Sequence, residues 1–317
     1  MALPLSPPLE PQLARPRKEL PAGDGWSYEP KYDGFRALAF VDGDDVYLQS
    51  RGKRPLRRYF PELTFPAGRY VLDGEIVVGD PDGVRPNFDA LQQRLHPAES
   101  RVRMLAESTP STFVAFDLLA RDDEVLMELP FAERRAALEA FVSDPVRLAP
   151  TVSTPEEAEP WLHGAEGVIA KALDAPYRPG KRDGMAKVKR VRTMDAVVVG
   201  WRPGKEDGTV GSLILGLYDD AGELHVIGHT SGLSAKRKRE LVDELAPYET
   251  GDRGSGDPSR WATERDLEWV VLRPELVVEV AYDHASNGRI RHGTKLLRWR
   301  DDKPPRECSL DQLDDGA

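Results

Sequence analysis

Lys31 stands in the stretch EPKYDGFRA, between Pro30 and Tyr32, with Asp33, Gly34 and Arg36 close behind. A lysine in such a place is either a solvated cation or a nucleophile. Attack requires the uncharged amine, and a free lysine near neutral pH is almost wholly protonated, with a pKa of about 10.4. Burial or neighbouring positive charge must lower that value. Arg36 and lysines farther along can supply the charge once the chain folds, and Asp33 with Gly34 suits a tight turn that presents the amine. Taken alone, KYDG leaves both readings open.

Other reactive groups recur downstream. Glu75 in LDGEIV and Glu166 in EGVIAK are acids in apolar, strand-like settings. A buried carboxylate needs a partner, and a salt bridge to Arg36 or Lys171 serves as well as a metal ion. Lys187 and Lys189 in AKVKR share one face if the segment is a strand; solvated strand lysines are the alternative. Phe116 in VAFDLL can stack on a purine, although periodicity alone favours a core position. The six histidines are scattered and no His/Cys spacing suggests zinc.

Taken in order, these segments resemble the covalent nucleotidyltransferase superfamily of ATP-dependent DNA ligases, RNA ligases and mRNA capping enzymes. Lys31, Asp33, Gly34 and Arg36 match its Lys-x-Asp-Gly-x-Arg motif; SRG (Ser50, Arg51, Gly52), LDGEIV, VAFDLL, EGVIAK, AKVKR and RWRDDK follow across nearly the whole chain. The stretches FDALQQRLHPAESRVRMLAESTP and RWRDDKPPRECS resemble the branch of bacterial ligase C and the ligase domain of end-joining ligase D.

The resemblance implies an α+β fold: an ATP-grasp-like adenylation domain of antiparallel sheets with helices over residues 1–192, then an OB-fold barrel over 193–317. It implies ATP as co-substrate, Mg²⁺ or Mn²⁺ as metal, and Lys31 as the residue that carries AMP. It makes Glu29 the acceptor for the adenine amino group, a reason to expect ATP rather than GTP, because a site built to bond a group rejects the analogue lacking it. Phe116 then stacks on the base; Arg36, Glu75, Arg51 and Arg298 join the nucleotide site, with Arg51 also a 5′-phosphate contact; Glu75 and Glu166 hold the metal. Lys171, Lys187 and Lys189 are expected to neutralise the α-phosphate, and Arg300, Asp302 and Lys303 to act on the pyrophosphate. The partner implied is nicked double-stranded DNA, with repair-pathway proteins as further candidates, for a cytoplasmic monomer. The early position of Lys31 gives the expectation of no upstream DNA-binding domain. An RNA ligase or capping enzyme is the nearest rival reading; a non-catalytic nucleic-acid-binding barrel is the rival of another class.

The elements that must position these residues can be read from periodicity. Phe35–Val41 and Val46–Gln49 form a hairpin about Asp42-Gly43-Asp44. Tyr70–Val78, Thr112–Leu119, Gly167–Lys171 and Met185–Val191 read as strands, Phe88–Leu95 and Phe131–Val142 as helices. Beyond Arg192 come short strands at Ala196–Trp201, Ser212–Tyr218, Leu224–His229 and Glu275–Tyr282, with a helix at Ala235–Leu245. Tyr248–Trp261, rich in Gly, Asp and Ser, reads as a mobile loop; the domain boundary falls near Arg192–Asp195, where the resemblance implies a flexible hinge.

Composition fits a soluble globular chain of two domains: 317 residues, 40 % hydrophobic and 31 % charged, with neither a signal peptide nor a bilayer-spanning run. The single cysteine, Cys308, excludes an internal disulfide and suits a reducing compartment. The net charge of −10 argues against nucleic acid only if charge is evenly spread. It is not: Lys171–Arg192 and Arg289–Arg300 are basic tracts that coincide with the motifs, and 236–239 reads as a solvated helix face.

Overall fold

The computed structural model describes residues 3–79, 87–189, 192–255, 268–283, 285–286, 288–290 and 293–313. The chain divides into two compact units, Met1–Arg190 and Val191–Ala317.

The first unit runs β1 (Arg15–Pro16), β2 (Trp26–Pro30), β3 (Phe35–Gly43), β4 (Asp45–Ser50), β5 (Gly68–Val78), α1 (Phe88–Gln93), α2 (Glu99–Ser108), β6 (Ser111–Arg121), β7 (Glu124–Val125), α3 (Phe131–Phe141), β8 (Arg147–Leu148), α4 (Pro155–Gly164), β9 (Val168–Ala172) and β10 (Met185–Val188). It builds a sheet ordered β4-β3-β5-β6-β7, with β8 beside β6, and a smaller sheet ordered β1-β10-β9-β2.

The central strands of the larger sheet are nearly continuous apolar runs because both faces are covered. Ala37, Ala39, Val41 and Leu72 face a core closed by Phe88 and Leu91 of α1 and Leu138 of α3. Leu38, Phe40 and Val71 face the other side, where Leu3, Leu5 and Leu9 pack on them. The proline-broken N-terminus is thereby pinned: Leu9 N–H donates to Gln49 Oε1 at 3.0 Å, and Leu9 O accepts from Gln49 Nε2 at 2.6 Å. Two buried aspartates, Asp73 and Asp117, stand opposite each other on β5 and β6. Like charges in that relation repel, and each is matched by its own arginine: Asp73 by Arg36, Asp117 by Arg134 at 2.8 and 3.0 Å.

In the smaller sheet alternation sorts the residues. Tyr28, Val168, Ala170 and Ala186 turn to a core shared with Ala158 and Trp161 of α4. The intervening positions Glu29, Ile169, Lys171 and Lys187 therefore turn to the other face. The strands, helices and hairpin expected in this unit are present, with β10 ending at Val188 and residues 190–191 outside the described ones. Periodicity missed β2, α2 and α4; α4 is announced instead by a capping box, Thr154 with Glu157, ahead of Pro155.

The second unit runs β11 (Arg192–Pro203), β12 (Val210–Tyr218), β13 (Leu224–Ser231), α5 (Ala235–Leu245), β14 (Glu249–Ser255), β15 (Glu268–Leu272), β16 (Val277–Tyr282), β17 (Ala285–Ser286), β18 (Arg289–Ile290) and β19 (Thr294–Trp299). It is a curled mixed sheet in which β11 pairs with β12, β15 and β16, β12 with β13, β13 with β19 and β19 with β16. Leu241 and Leu245 of α5 seal its core, and the cations of 236–239 lie outside, where Arg237 pairs with Glu240 and Glu244.

One expectation is corrected here. Residues 249–255 are a strand laddered to β15 rather than loop, because backbone pairing overrides a Gly/Asp-rich composition; 256–261 lie outside the described residues. Arg192–Asp195 pair with Tyr282 to Glu279 within the sheet, and the division between the two units falls just before them. The fold is thus α+β throughout. Among the described residues no helix is long and apolar enough to cross a membrane.

Candidate active site

Three short strands place the reactive groups by register. On the open face of the smaller sheet, Glu29, Ile169 and Lys187 form one cross-strand row, and Ser27, Lys171 and Met185 the next. One step beyond the ladder in the opposite direction, Lys31 N–H donates to Gly167 O at 2.9 Å. Rows on one face are roughly 7 Å apart. The face therefore runs from Lys31 and Lys189 at one end, past Glu29 and Lys187, to Lys171 at the other.

At the first end Glu166 bridges two cations. Its Oε2 is hydrogen-bonded to Lys31 Nζ, and its Oε1 lies 2.6 Å from Lys189 Nζ. Glu75 lies nearby, and burial pushes its carboxyl up to about 8 against the pull of Lys31 and Arg36. The cations that the sequence offered to these acids are used elsewhere. Arg36 makes a two-pronged pair with Asp73, and Lys171 pairs with Glu29 at 2.9 Å. Lys187 is held below the usual lysine value, first by partial burial and then by Lys31, Lys189, Arg51 and Arg182. So much positive charge against so few acids is a setting for a polyanion.

At the far end Lys171, buried, donates to Phe116 O at 3.0 Å and sits 4.5 Å from the Phe116 ring centroid. The Arg36 guanidinium lies 5.3 Å from that same centroid. Glu29 is buried; one oxygen takes Lys171, and the other, Oε2, has no partner among the described residues. A pocket is lined by Glu29, Lys31, Glu75, Phe116, Ile169 and Lys187, among others. A second depression opens on the other side of Lys31, where Ser50, Arg51, Arg54, Arg58 and Lys189 line it.

Lys31, Arg36, Glu75, Phe116 and Lys187 thus share one pocket with Glu29 and Lys171, and Glu166 and Lys189 adjoin it. Lys171, expected beside Lys187 and Lys189, lies two rows from Lys31, because each strand residue pair advances it along the sheet. Arg57 is spent on the carbonyls of Phe60 and Leu63, and Arg58 on that of Pro97. Arg298, Arg300, Asp302 and Lys303 belong to the second unit, where they pair with Glu279, Asp195, Arg300 and Glu307 respectively.

Among the described residues no cluster of three or more His, Cys, Asp or Glu forms a metal cage. Glu75 and Glu166 nevertheless fit a hard divalent cation. Both are oxygen donors beside Lys31, and magnesium is commonly held by one or two carboxylates together with substrate phosphates.

Sequence reasoning missed Leu13 and Ala14, which line the pocket because β1 runs parallel to β10. It also missed Tyr177, whose buried hydroxyl donates to Asp73 Oδ2 at 2.6 Å and accepts from Gln12 N–H at 2.9 Å. Neither carries a local signal: the first depends on a pairing between strands far apart in sequence, the second on a loop, APYRPG, without periodicity.

Residues 11–189 match the family model of the ATP dependent DNA ligase domain, and residues 206–303 that of the ATP dependent DNA ligase C terminal region. DNA ligase C1 of Mycolicibacterium smegmatis is 48 % identical, the alignment covering 99 % of this chain and 96 % of the relative. The crystal structure of the ligase domain from M. tuberculosis LigD is 32 % identical with a TM-score of 0.53, covering 95 % of this chain and 97 % of that one. A mycobacterial DNA ligase D solved with ATP is 30 % identical with a TM-score of 0.53 and the same coverage. Motifs, fold and kinship agree: the chain belongs to the ATP-dependent DNA ligases, enzymes of adenylation chemistry, in the family of bacterial ligase C and the LigD ligase domain.

Proposed function

We propose that this chain seals nicks between a 5′-phosphate and a 3′-hydroxyl in duplex DNA through an AMP group carried on Lys31. The observation that carries this reading is the row order on the smaller sheet, with phosphate-type cations around Lys31 and an unsatisfied acceptor beside an aromatic ring farther along.

Adenine occupies the end with Glu29 and Phe116, where the free Glu29 Oε2 accepts from the exocyclic amino group and the ring stacks on the base. The phosphates then reach Lys31, Lys187 and Lys189. The Lys31 amine forms a bond to the α-phosphorus as the bond to pyrophosphate breaks, and the amine loses a proton to solvent. Lys187, already biased toward neutrality by partial burial and then by its cationic neighbours, gains from an incoming anion, so its charge is strongest when phosphate is bound. The pairing of Lys31 with Glu166 holds the amine toward Gly167 and Lys189 and fixes its direction. A divalent cation held by Glu75 and Glu166 would supply charge to the triphosphate and draw Glu166 away from Lys31.

In the second step an oxygen of the DNA 5′-phosphate attacks the same phosphorus and the P–N bond breaks, leaving the lysine protonated. In the third the 3′-hydroxyl oxygen bonds to the DNA 5′-phosphorus and gives its proton to solvent, as the anhydride bond from that phosphorus to AMP breaks and AMP departs. Arg51, exposed beside Ser50 and Gly52, contacts the 5′-phosphate. Arg300, Asp302 and Lys303 orient pyrophosphate in the first step. The second unit is read as an OB-fold barrel, a reading supported by the circuit of pairings through β11, β12, β13, β19 and β16.

The test is incubation with α-labelled ATP and magnesium, denaturing electrophoresis, and a chase with nicked DNA. A labelled band that disappears as DNA is sealed, and is missing in Lys31→Ala, is expected. A band that persists in Lys31→Ala overturns the assignment.

A further inference from the structure

We propose that Lys171 is a positioning residue that sets base selectivity, by keeping Glu29 an ionised carboxylate with one oxygen committed and the other presented to the base. This rests on the placement of adenine at Glu29 given above.

The geometry is specific. Lys171 Nζ makes four contacts: Glu29 Oε1 at 2.9 Å, Phe116 O at 3.0 Å, and the ring centroids of Phe116 and Phe131 at 4.5 and 4.8 Å. The side chains of Lys171 and Glu29 are 3 % and 5 % exposed, so water cannot replace either partner. One amine therefore fixes which oxygen of Glu29 is left over, and that oxygen is the buried orphan.

A carboxylate oxygen only accepts, which suits the amino group of adenine. A protonated carboxyl can donate instead, which suits the carbonyl that hypoxanthine or guanine presents at the same ring position. The choice of base thus depends on whether Glu29 is ionised. The charges near it are Lys171 on β9, Arg135 on α3, Asp117 on β6, Lys187 in its own cross-strand row on β10, and Lys31 just past the end of its own strand. Asp117 is matched by Arg134 and Arg135 by Glu139, so Lys171 is the charge that meets Glu29 at contact distance. Burial holds the Glu29 carboxyl above the usual carboxylate range, and Lys171 is the largest of the charges that oppose that push. Without the amine that upward push meets no cation at contact distance, and a protonated Glu29 can donate where the carboxylate only accepts.

The experiment compares ATP with ITP, whose base differs at the group Glu29 is argued to read. Dissociation constants are measured by calorimetry on enzyme freed of AMP by pyrophosphate, and self-adenylylation KM and kcat are measured alongside, from about pH 6 to about pH 9. The proteins are the wild type, Glu29→Gln, Lys171→Met, Lys171→Gln and Lys171→Arg. Wild type and Lys171→Arg should prefer ATP by a ratio that is flat across this range. In both neutral variants the ratio should fall by about tenfold or more as pH is lowered, through KM and Kd rather than kcat, and recover at high pH. Lys171→Gln, which can still donate a hydrogen bond, keeps the test open if Lys171→Met does not fold. A flat, wild-type ratio in a folded neutral variant overturns the role of Lys171. Retention of the full ATP preference by Glu29→Gln overturns instead the placement of the base, so the two failures are distinguishable.

Discussion

Arg36 grips Asp73 with two parallel hydrogen bonds, Nε to Oδ1 at 3.0 Å and Nη2 to Oδ2 at 2.6 Å, while the Asp73 carboxylate is wholly buried. Tyr177 donates to the same Oδ2, and Gln12 N–H closes the chain of bonds behind it. This network holds the guanidinium against the Phe116 ring and ties the N-terminal segment to the pocket.

Removing one member of a buried pair leaves the other uncompensated and costs about 3 kcal/mol, whereas losing a hydrogen bond to a charged group costs about 1.5. Asp73→Asn is therefore expected to lower stability by about twice as much as Tyr177→Phe, read from urea midpoints. Both should raise the KM for ATP, because Arg36 loses its anchor. Equal and negligible effects of the two changes would sink this account of how Arg36 is placed.

Glu75 predicts a pH dependence whose sign follows from where its proton is held. In the folded chain the carboxyl keeps its proton up to about pH 8. In the unfolded chain it loses it near about 4.3. Between those values the folded state binds more protons, so this contribution to stability is fully present at the acid end and is lost as pH rises through about 8. The unfolding free energy of the wild type should fall relative to Glu75→Gln across that window, by at most about 1.4 kcal/mol per pH unit. Magnesium, which requires the ionised form, should stabilise the wild type more at about pH 9 than at about pH 6, and Glu75→Gln equally at both. Parallel pH profiles for the two proteins would remove Glu75 from the candidate metal site.

Much of this site could be read from the sequence because its parts alternate on strands. In VIAKA and MAKV the small or apolar residues Val168, Ala170 and Ala186 mark the core face, so Lys171 and Lys187 must share the other, whereas SYEP, which carries Glu29, was not legible as a strand. What alternation does not carry is distance along the strand. Lys171 and Lys187 look equivalent as cations near EGVIAK, yet register places Lys171 in the row of Ser27 and Met185, two rows from Lys31, and its side chain reaches Glu29. The strand at 249–255 was illegible for a related reason: its seven residues are mostly exposed and polar, and only the ladder to β15 makes them a strand. Tyr177 and Leu13 join the pocket through tertiary contacts for which no local pattern exists.

Gly167 is a second consequence of that register. It has φ of +147°, and a Cβ there would run into Val188 O and stand 3.0 Å from Lys189 Cα. Its carbonyl accepts from Lys31 N–H, and its neighbour Glu166 holds both Lys31 and Lys189. Gly167→Ala is expected to cost about 1–3 kcal/mol through backbone strain and to push β10 away from β9 where the two lysines meet Glu166. The self-adenylylation rate should fall by more than tenfold, a loss that added ATP does not restore, because the fault lies in the direction of the amine. Recovery of the full rate at high ATP would show that Gly167 serves binding only.

In the second unit, Arg300 is divided between two acids: Nη1 meets Asp195 at 2.8 and 2.9 Å, and Nε meets Asp302 at 2.9 Å. Asp302 is held down to about 2 by its hydrogen bond with Arg300, so it stays ionised at any working pH and keeps Arg300 engaged. Lys303 differs. Its partner Glu307 is well exposed, and such pairs contribute little to stability. Glu307 pushes the Lys303 amine above its ordinary value, so the amine is charged and can be transferred to a stronger anion at small cost. Lys303→Ala should thus leave the unfolding midpoint nearly unchanged, reduce formation of the lysyl-AMP band by about 10²-fold, and spare sealing of a nick that already carries AMP, since no pyrophosphate leaves in that reaction. Arg300→Ala should damage both the midpoint and adenylylation, because it frees two carboxylates at once. Equal loss in adenylylation and in sealing of the pre-adenylylated nick by Lys303→Ala would refute a role confined to the first step.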